Sequence, residues 1–272
     1  MIKVHIVCPD DRHILPRMYS WVRDSLGWSM SERPDKSADV NFYAPYLAIH
    51  YGIVGKTAAW FTHKETGNPG KMGLWHQASN QINLPCVTSG LYLNDFGSKP
   101  VHKLTPGIDT DHFKPAGRVR SSKIIGLVGV GQARKGNDLA ARLVAQGLTV
   151  KAAGKDWVIP CEWVGYEDMP AFYNTIGVYV CTATIEGIPA PPLEALACGV
   201  KVVIPSGVGV MDELPETEGV RHYRAGDYDD LLRALVTVQA DKVKASDLRA
   251  LVSGYTVKAW CDSHADAIER MP

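Results

Sequence analysis

The residues best suited to chemistry lie in one stretch, "EGIPAPPLE" (186–194), which sets two carboxylates, Glu186 and Glu194, around three prolines. The apolar run before it, "IGVYVCT" (176–182), reads as a buried strand, so Glu186 falls in the loop at that strand's carboxyl end. Pro191 and Pro192 suit a helix start, where a missing N–H is harmless and φ is already helical. Gly199 suits the stop. The spacing predicts a helix over 191–198 with Glu194 in its first turn. Free N–H groups and the positive end of the dipole at such a start attract phosphate. A carboxylate beside it can accept hydrogen bonds from the paired hydroxyls of a ribose or a sugar. From these residues alone a plainer reading stands too, with Glu194 complementing the dipole and Glu186 an exposed loop charge.

Two cations, Arg134 and Lys135, sit just before another helical pattern (136–146). Positive charge there opposes the helix dipole, which favours a bound anion over a merely solvated pair. Three other motifs fail on spacing or context. "GKT" at 55–57 lacks the earlier glycine of a P-loop, since His50 stands there. "GVGQAR" places Arg134 where a dinucleotide fingerprint needs its third glycine. "DTD" at 109–111 lies in a non-periodic joining segment, and no catalytic metal is expected.

These groups need a frame. From residue 123 onward, β-rich runs at 123–129, 148–154, 176–182 and 200–205 alternate with helical patterns at 136–146, 167–174 and 191–198. That alternation predicts a parallel sheet of β-α-β units, whose ligands bind at the carboxyl ends of the strands. The first third offers strands at 3–8, 38–44, 57–62 and 101–106 and helices at 13–26 and 71–80, a smaller α/β domain. Pro, Gly, Ser and charges cluster near 106–122, which puts the boundary at about 115. The domains expected are 1–115 and 116–272, with a final helix over 256–270.

Composition narrows the class. The 29 Lys plus Arg balance 29 Asp plus Glu, so no general pull toward nucleic acid or anionic membrane exists. The longest apolar runs are too short to cross a bilayer, and the start, "MIKVHIVCPDD", reads as a first strand. Six scattered cysteines without C-x-x-C spacing argue against a disulfide framework or zinc site and for a reducing, cytoplasmic setting.

Taken with its neighbours, "EGIPAPPLEALACGVKVVIP" (186–205) resembles the donor-site signature of the retaining GT-B glycosyltransferases grouped as family 4. "KLTPGIDTDHFKP" (103–115), "IGLVGVGQARKGNDL" (125–139) and "SGVGVMDELP" (206–215) are similar to three further stretches of that family, in the right order. The resemblance spans about residues 101–225.

It implies an α/β GT-B fold of two Rossmann-like domains facing a cleft, with residues 1–115 on the acceptor side and the donor domain after it. The last helix would cross back to the first domain. It implies a nucleotide-diphosphate sugar as co-substrate, no cofactor, no metal, and transfer with retention to an unidentified glycan, lipid, protein or nucleic-acid base. Glu186 would bond the transferred sugar and Glu194 the ribose. Gly187 and Ile188 would offer backbone N–H groups, Lys135 would face the diphosphate, and Glu213 would end the second donor loop. Tyr166 would lie near the base. His63, just after the strand at 57–62, would sit beside the reacting sugar, with Glu65 assisting it or exposed. The family's arginine after the glycine of "VG" is replaced by Val130, and Arg134 can supply that charge. Asp10, Asp11 and Arg12, at the end of the first strand, can touch the acceptor or form a solvated turn. Two rival readings keep the same frame: a nucleotide-sugar epimerase or hydrolase, and a non-catalytic sugar-nucleotide or glycan-binding protein.

Overall fold

A computed structural model of the chain describes residues 2–9, 14–117 and 123–271. Asp10, Asp11 and Arg12 lie outside the described residues. The chain divides into two compact units, 1–107 together with 257–272, and 108–256. The division falls ahead of the expected position near 115 because Ile108 and Phe113 are buried in the second unit's core with Met169, Phe172 and Tyr173.

In the first unit six parallel strands form one sheet: β1 (Val4–Val7), β2 (Ser29–Ser31), β3 (Val40–Tyr43), β4 (Lys56–Phe61), β5 (Leu84–Val87) and β6 (His102–Lys103), in the order β2-β1-β3-β4-β5-β6. Helix α1 (Ile14–Leu26) follows β1 and α2 (Pro69–Gln81) follows β4. Asn68 caps α2 by accepting from the Lys71 N–H, with Pro69 at the first position. Both faces of the sheet are covered, as the unbroken burial of β1, β3 and β5 requires. One face packs Val7, Tyr43, Phe61 and Val87 with Trp75 of α2.

The second unit repeats the plan with β7 (Ile125–Val130), β8 (Val150–Lys155), β9 (Cys161–Glu162), β10 (Val178–Val180), β11 (Lys201–Ser206) and β12 (Val220–Arg224), all parallel, in the order β12-β11-β10-β7-β8-β9. Its helices are α3 (Asn137–Ala145), α4 (Met169–Tyr173), α5 (Ala190–Ala197), α6 (Tyr228–Ala240) and α7 (Ala245–Ala250). The chain winds outward from β7 through β9, then returns to the other side of β7 as β10. That reversal makes the junction of β7 and β10 a topological switch point, the place where open α/β sheets bind their ligands.

The closing helix, α8 (Val257–Glu269), belongs to the first unit. Trp260 is fully buried there, its indole N–H donating to the Met18 carbonyl at 3.2 Å, and its ring stands edge-on to Tyr19 and Trp60. None of the six cysteines is in a disulfide, and five are buried. Among the described residues no helix is long and apolar enough to cross a membrane.

Paired glycines let β7 and β8 run close together at their carboxyl ends. Gly154 lies opposite Gly129 with φ at 136°, and a Cβ on it would stand 1.7 Å from the Gly129 carbonyl oxygen. Backbone strain and a backbone clash then coincide, and Gly154→Ala should destabilise this unit by about 3 kcal/mol. Urea unfolding of the two proteins measures the difference, and equal midpoints would refute it.

Candidate functional site at the β7–β10 switch point

The loop after β7 and the loop after β10 flank the switch point, and they carry the residues singled out above. After β7 the chain passes Gly131, whose N–H donates to the Lys155 carbonyl at 2.8 Å, and makes a 3₁₀ turn over Ala133–Lys135. Gly136 ends that turn in the left-handed region at φ 71°, and a Cβ there would meet the Thr182 carbonyl oxygen at 2.2 Å. Only glycine allows this approach. The turn presents two neighbouring cations to the β10 loop.

There they meet Glu186. The Lys135 ammonium donates to Glu186 Oε1, and Arg134 Nη1 lies 3.7 Å from the same oxygen while donating to the Ile185 carbonyl at 3.3 Å. The Glu186 side chain is only 11% exposed, so the carboxylate is nearly desolvated and the two cations compensate its charge. Arg134 thus lies beside the charge-bearing corner that Val130, the last residue of β7, cannot reach with an ionic group. The loop after β11 closes on the same corner. Gly209 has φ at 61°, and a Cβ on it would stand 2.7 Å from the carbonyl oxygens of both Glu186 and Gly187. The Val210 N–H points back to the Gly187 carbonyl at 3.4 Å.

Helix α5 begins one residue earlier than its spacing suggests, so Glu194 falls in the second turn instead of the first. Its carboxylate is buried and accepts from the Tyr173 hydroxyl at 2.7 Å. Burial, then the charge of Glu194, raises the Tyr173 pKa well above its ordinary value, which keeps the phenol a donor. Tyr179 of β10 is likewise held neutral, first by burial, and feels Cys181, Glu186 and Glu194. The tip of α5 departs from the expectation of several free N–H groups. Of the four that a helix start leaves unbonded, those of Pro189, Pro191 and Pro192 do not exist, so Ala190 alone supplies one. The dipole remains; direct anion contacts must come from elsewhere.

Tyr166 packs into the joining segment. Its ring stacks on His112 at 4.6 Å between centroids, meets Phe113 edge-on at 5.5 Å, and its carbonyl bonds His112 Nε2 at 3.0 Å. Glu213 closes the 3₁₀ turn Gly209–Glu213, is half-buried, and its charge adds to burial in raising the Tyr255 pKa. Ile188 is half-buried in the loop between Gly187 and the helix start. In "DTD", Asp109 Oδ1 accepts from the N–H groups of Asp111 and His112 at 3.0 and 2.9 Å, which makes it a turn cap.

In the first unit, His63 stands past the carboxyl end of β4. Its Nε2 bonds Glu65 Oε1 at 2.8 Å, and Lys71 Nζ reaches the same oxygen at 2.5 Å. Burial alone would raise the Glu65 pKa, but hydrogen bonds from Lys71 and His63 bring it below the usual carboxylate value. The contact with the Glu65 carboxylate suits an Nε2 that carries the proton, since a carboxylate only accepts. Thr182 and Tyr173 were not signalled by the sequence, because each acts on a residue distant in the chain, and Lys71 was not because its reach back to Glu65 depends on the turn that leads into α2.

Comparison with known proteins agrees with this architecture. The family model for glycosyl transferases group 1 matches residues 116–241. No curated protein matches the chain. Among solved structures, Anabaena HepE in complex with UDP and glucose aligns over 99% of this chain and 100% of its own, with TM-score 0.80 and 12% identity. Sucrose-phosphate synthase from Thermosynechococcus elongatus aligns over 97% of this chain and 80% of its own, with TM-score 0.73 and 13% identity. A glycosyltransferase from Rickettsia africae aligns over 99% and 98%, with TM-score 0.70 and 11% identity. The protein has the GT-B fold, and its second unit carries the sequence pattern of the group 1 glycosyl transferases.

Proposed function

We propose that the protein is a retaining glycosyltransferase of the family 4 type that moves a sugar from a nucleotide-diphosphate sugar to an acceptor. The observation that carries this reading is the meeting of Lys135, Arg134 and Glu186 at the switch point of the second unit. Two cations beside a carboxylate match a ligand with an anionic half and a hydroxyl-rich half. The diphosphate takes the cations, and the sugar hydroxyls take Glu186. Glu194, oriented by Tyr173, bonds the ribose, and the N–H groups of Gly187, Ile188 and Ala190 complete the phosphate contacts. Glu213 and Tyr166 border the donor, Tyr166 by shaping the base side through its stack on His112. The UDP seen with HepE makes a UDP-sugar the first donor to test.

Catalysis on this reading is mainly charge stabilisation. As the bond from sugar to diphosphate breaks, negative charge grows on the departing phosphate, and Lys135 and Arg134, drawn from Glu186 when the donor binds, offset it. The departing phosphate takes the acceptor's proton, with retention of anomeric configuration and without a bound metal. His63, with Glu65 and Lys71 bonded behind it, is assigned to the reacting sugar on the family resemblance. Six cysteines outside any disulfide suit a reducing, cytoplasmic compartment.

Calorimetric titration with UDP, GDP and ADP, followed by product analysis with the matching sugar donor, tests the proposal. UDP is expected to bind, and Lys135→Met to weaken it at least tenfold through loss of a charge-assisted contact worth about 1.5 kcal/mol or more. Transfer to an acceptor should give a product of the donor's anomeric configuration. Failure of all three nucleotides to bind, or equal binding by Lys135→Met, would overturn it. Release of free sugar alone, whatever the acceptor, would favour the hydrolase reading.

A further inference from the structure

The carbonyls of both cation-bearing residues of the β7 loop are held by the segment leading to Glu186. Thr182, two residues past β10, is 2% exposed and donates its hydroxyl to the Lys135 carbonyl at 2.5 Å. Its own carbonyl oxygen is the atom against which Gly136 closes, so the two chains are seated on each other from both sides. The Thr184 N–H donates to the Arg134 carbonyl at 2.8 Å and its hydroxyl reaches the same oxygen at 3.3 Å. The loop being held is one that glycines at 129, 131 and 136 leave with little stiffness of its own.

We propose that Thr182 is a positioning residue for donor binding, its buried hydroxyl fixing the Lys135 backbone so that the ammonium meets the diphosphate beside Glu186. The inference rests on the reading of this corner as a diphospho-sugar site and adds the residue that sets its geometry. The Thr182 hydroxyl is suited to this because the residue is buried, so its bond to the Lys135 carbonyl is not readily exchanged for water. Once the bond is lost, the turn relaxes and the ammonium moves away from the carboxylate and from the ligand. Because the hydroxyl acts through Lys135, it should matter only while Lys135 carries its charge.

A double-mutant cycle on UDP affinity tests this. Thr182→Val keeps the shape and deletes the donor, Thr182→Ser keeps the donor, and Thr182→Ala serves as the deletion if valine is not accommodated. The expected result is a five- to tenfold rise in the UDP dissociation constant for the deletion variant and recovery to within twofold for the serine. In the Lys135→Met background the same deletion should change UDP affinity less than twofold. Uridine, which lacks the phosphates, should bind wild type and Thr182→Val alike. Equal losses in both backgrounds, equal losses for UDP and uridine, or unchanged UDP binding by Thr182→Val would overturn the inference. A wild-type protein that ignores UDP would instead overturn the underlying functional reading.

Discussion

Replacing Glu186 by glutamine is expected to lower sugar-transfer turnover about a hundredfold while making UDP bind about fivefold more tightly, from an ion pair worth about 1 kcal/mol. Both halves come from one contact. Lys135 and Arg134 face Glu186 Oε1, so on the proposed function a diphosphate must draw both cations away from a nearly desolvated carboxylate. Glutamine has the same shape but no charge, so the competition disappears and the diphosphate gains the cations freely. On the proposed function the freed carboxylate also accepts the sugar hydroxyls and offsets developing positive charge on the sugar, and an amide does this poorly. Calorimetry with UDP and steady-state rates with the sugar donor read the two effects separately. A variant that loses turnover and UDP affinity together would show that Glu186 only shapes the loop.

The second large effect concerns stability in the first unit. His264 is fully buried against Tyr19, Phe42 and Trp260. Its Nδ1 bonds the Trp260 carbonyl at 2.8 Å, with Tyr19 Oη 3.4 Å from Nε2. Burial pushes its pKa down from 6.5 to about 3; the bond to Trp260 opposes that, and His102 adds slightly to it. The folded protein therefore keeps the ring neutral where the unfolded chain would protonate it. This contribution is complete above about pH 6.5 and is lost as pH falls toward 3, at about 1.4 kcal/mol per pH unit. His102, whose pKa burial also lowers, acts in the same direction. Urea midpoints between pH 7.5 and 5 should fall for the wild type by the equivalent of about 2 kcal/mol. His264→Phe, which keeps the ring packing, should flatten that limb; parallel curves would refute the assignment.

Much of the second unit's frame was legible because a buried parallel strand and a covering helix leave strong marks. The runs around β7, β8, β10 and β11 are each apolar, short and bounded by glycine or proline, and the structure places strands in all four. Strand β5 escaped because "LPCV" contains Pro85 and is four residues long, and β12 because "VRHYR" alternates charge with apolar groups as an edge strand does. The composition of Glu186, Arg134 and Lys135 suggested a charged site, yet nothing local could pair residues 51 positions apart, since the switch point that joins them is a property of strand order. The same limit hid the bonds from Thr182 to Lys135 and from Tyr173 to Glu194. The helix tip shows the opposite case. Pro189, Pro191 and Pro192 are visible in the chain, and their missing N–H groups alone leave Ala190 as the single donor.

A crystal structure of the protein soaked with UDP bears most directly on the role of the corner between β7 and β10. The expected electron density has a phosphate oxygen within about 3 Å of Lys135 Nζ, with Glu186 no longer paired to that ammonium. Nucleotide bound elsewhere, while Lys135 still holds Glu186, would contradict the assignment of this corner to a diphospho-sugar.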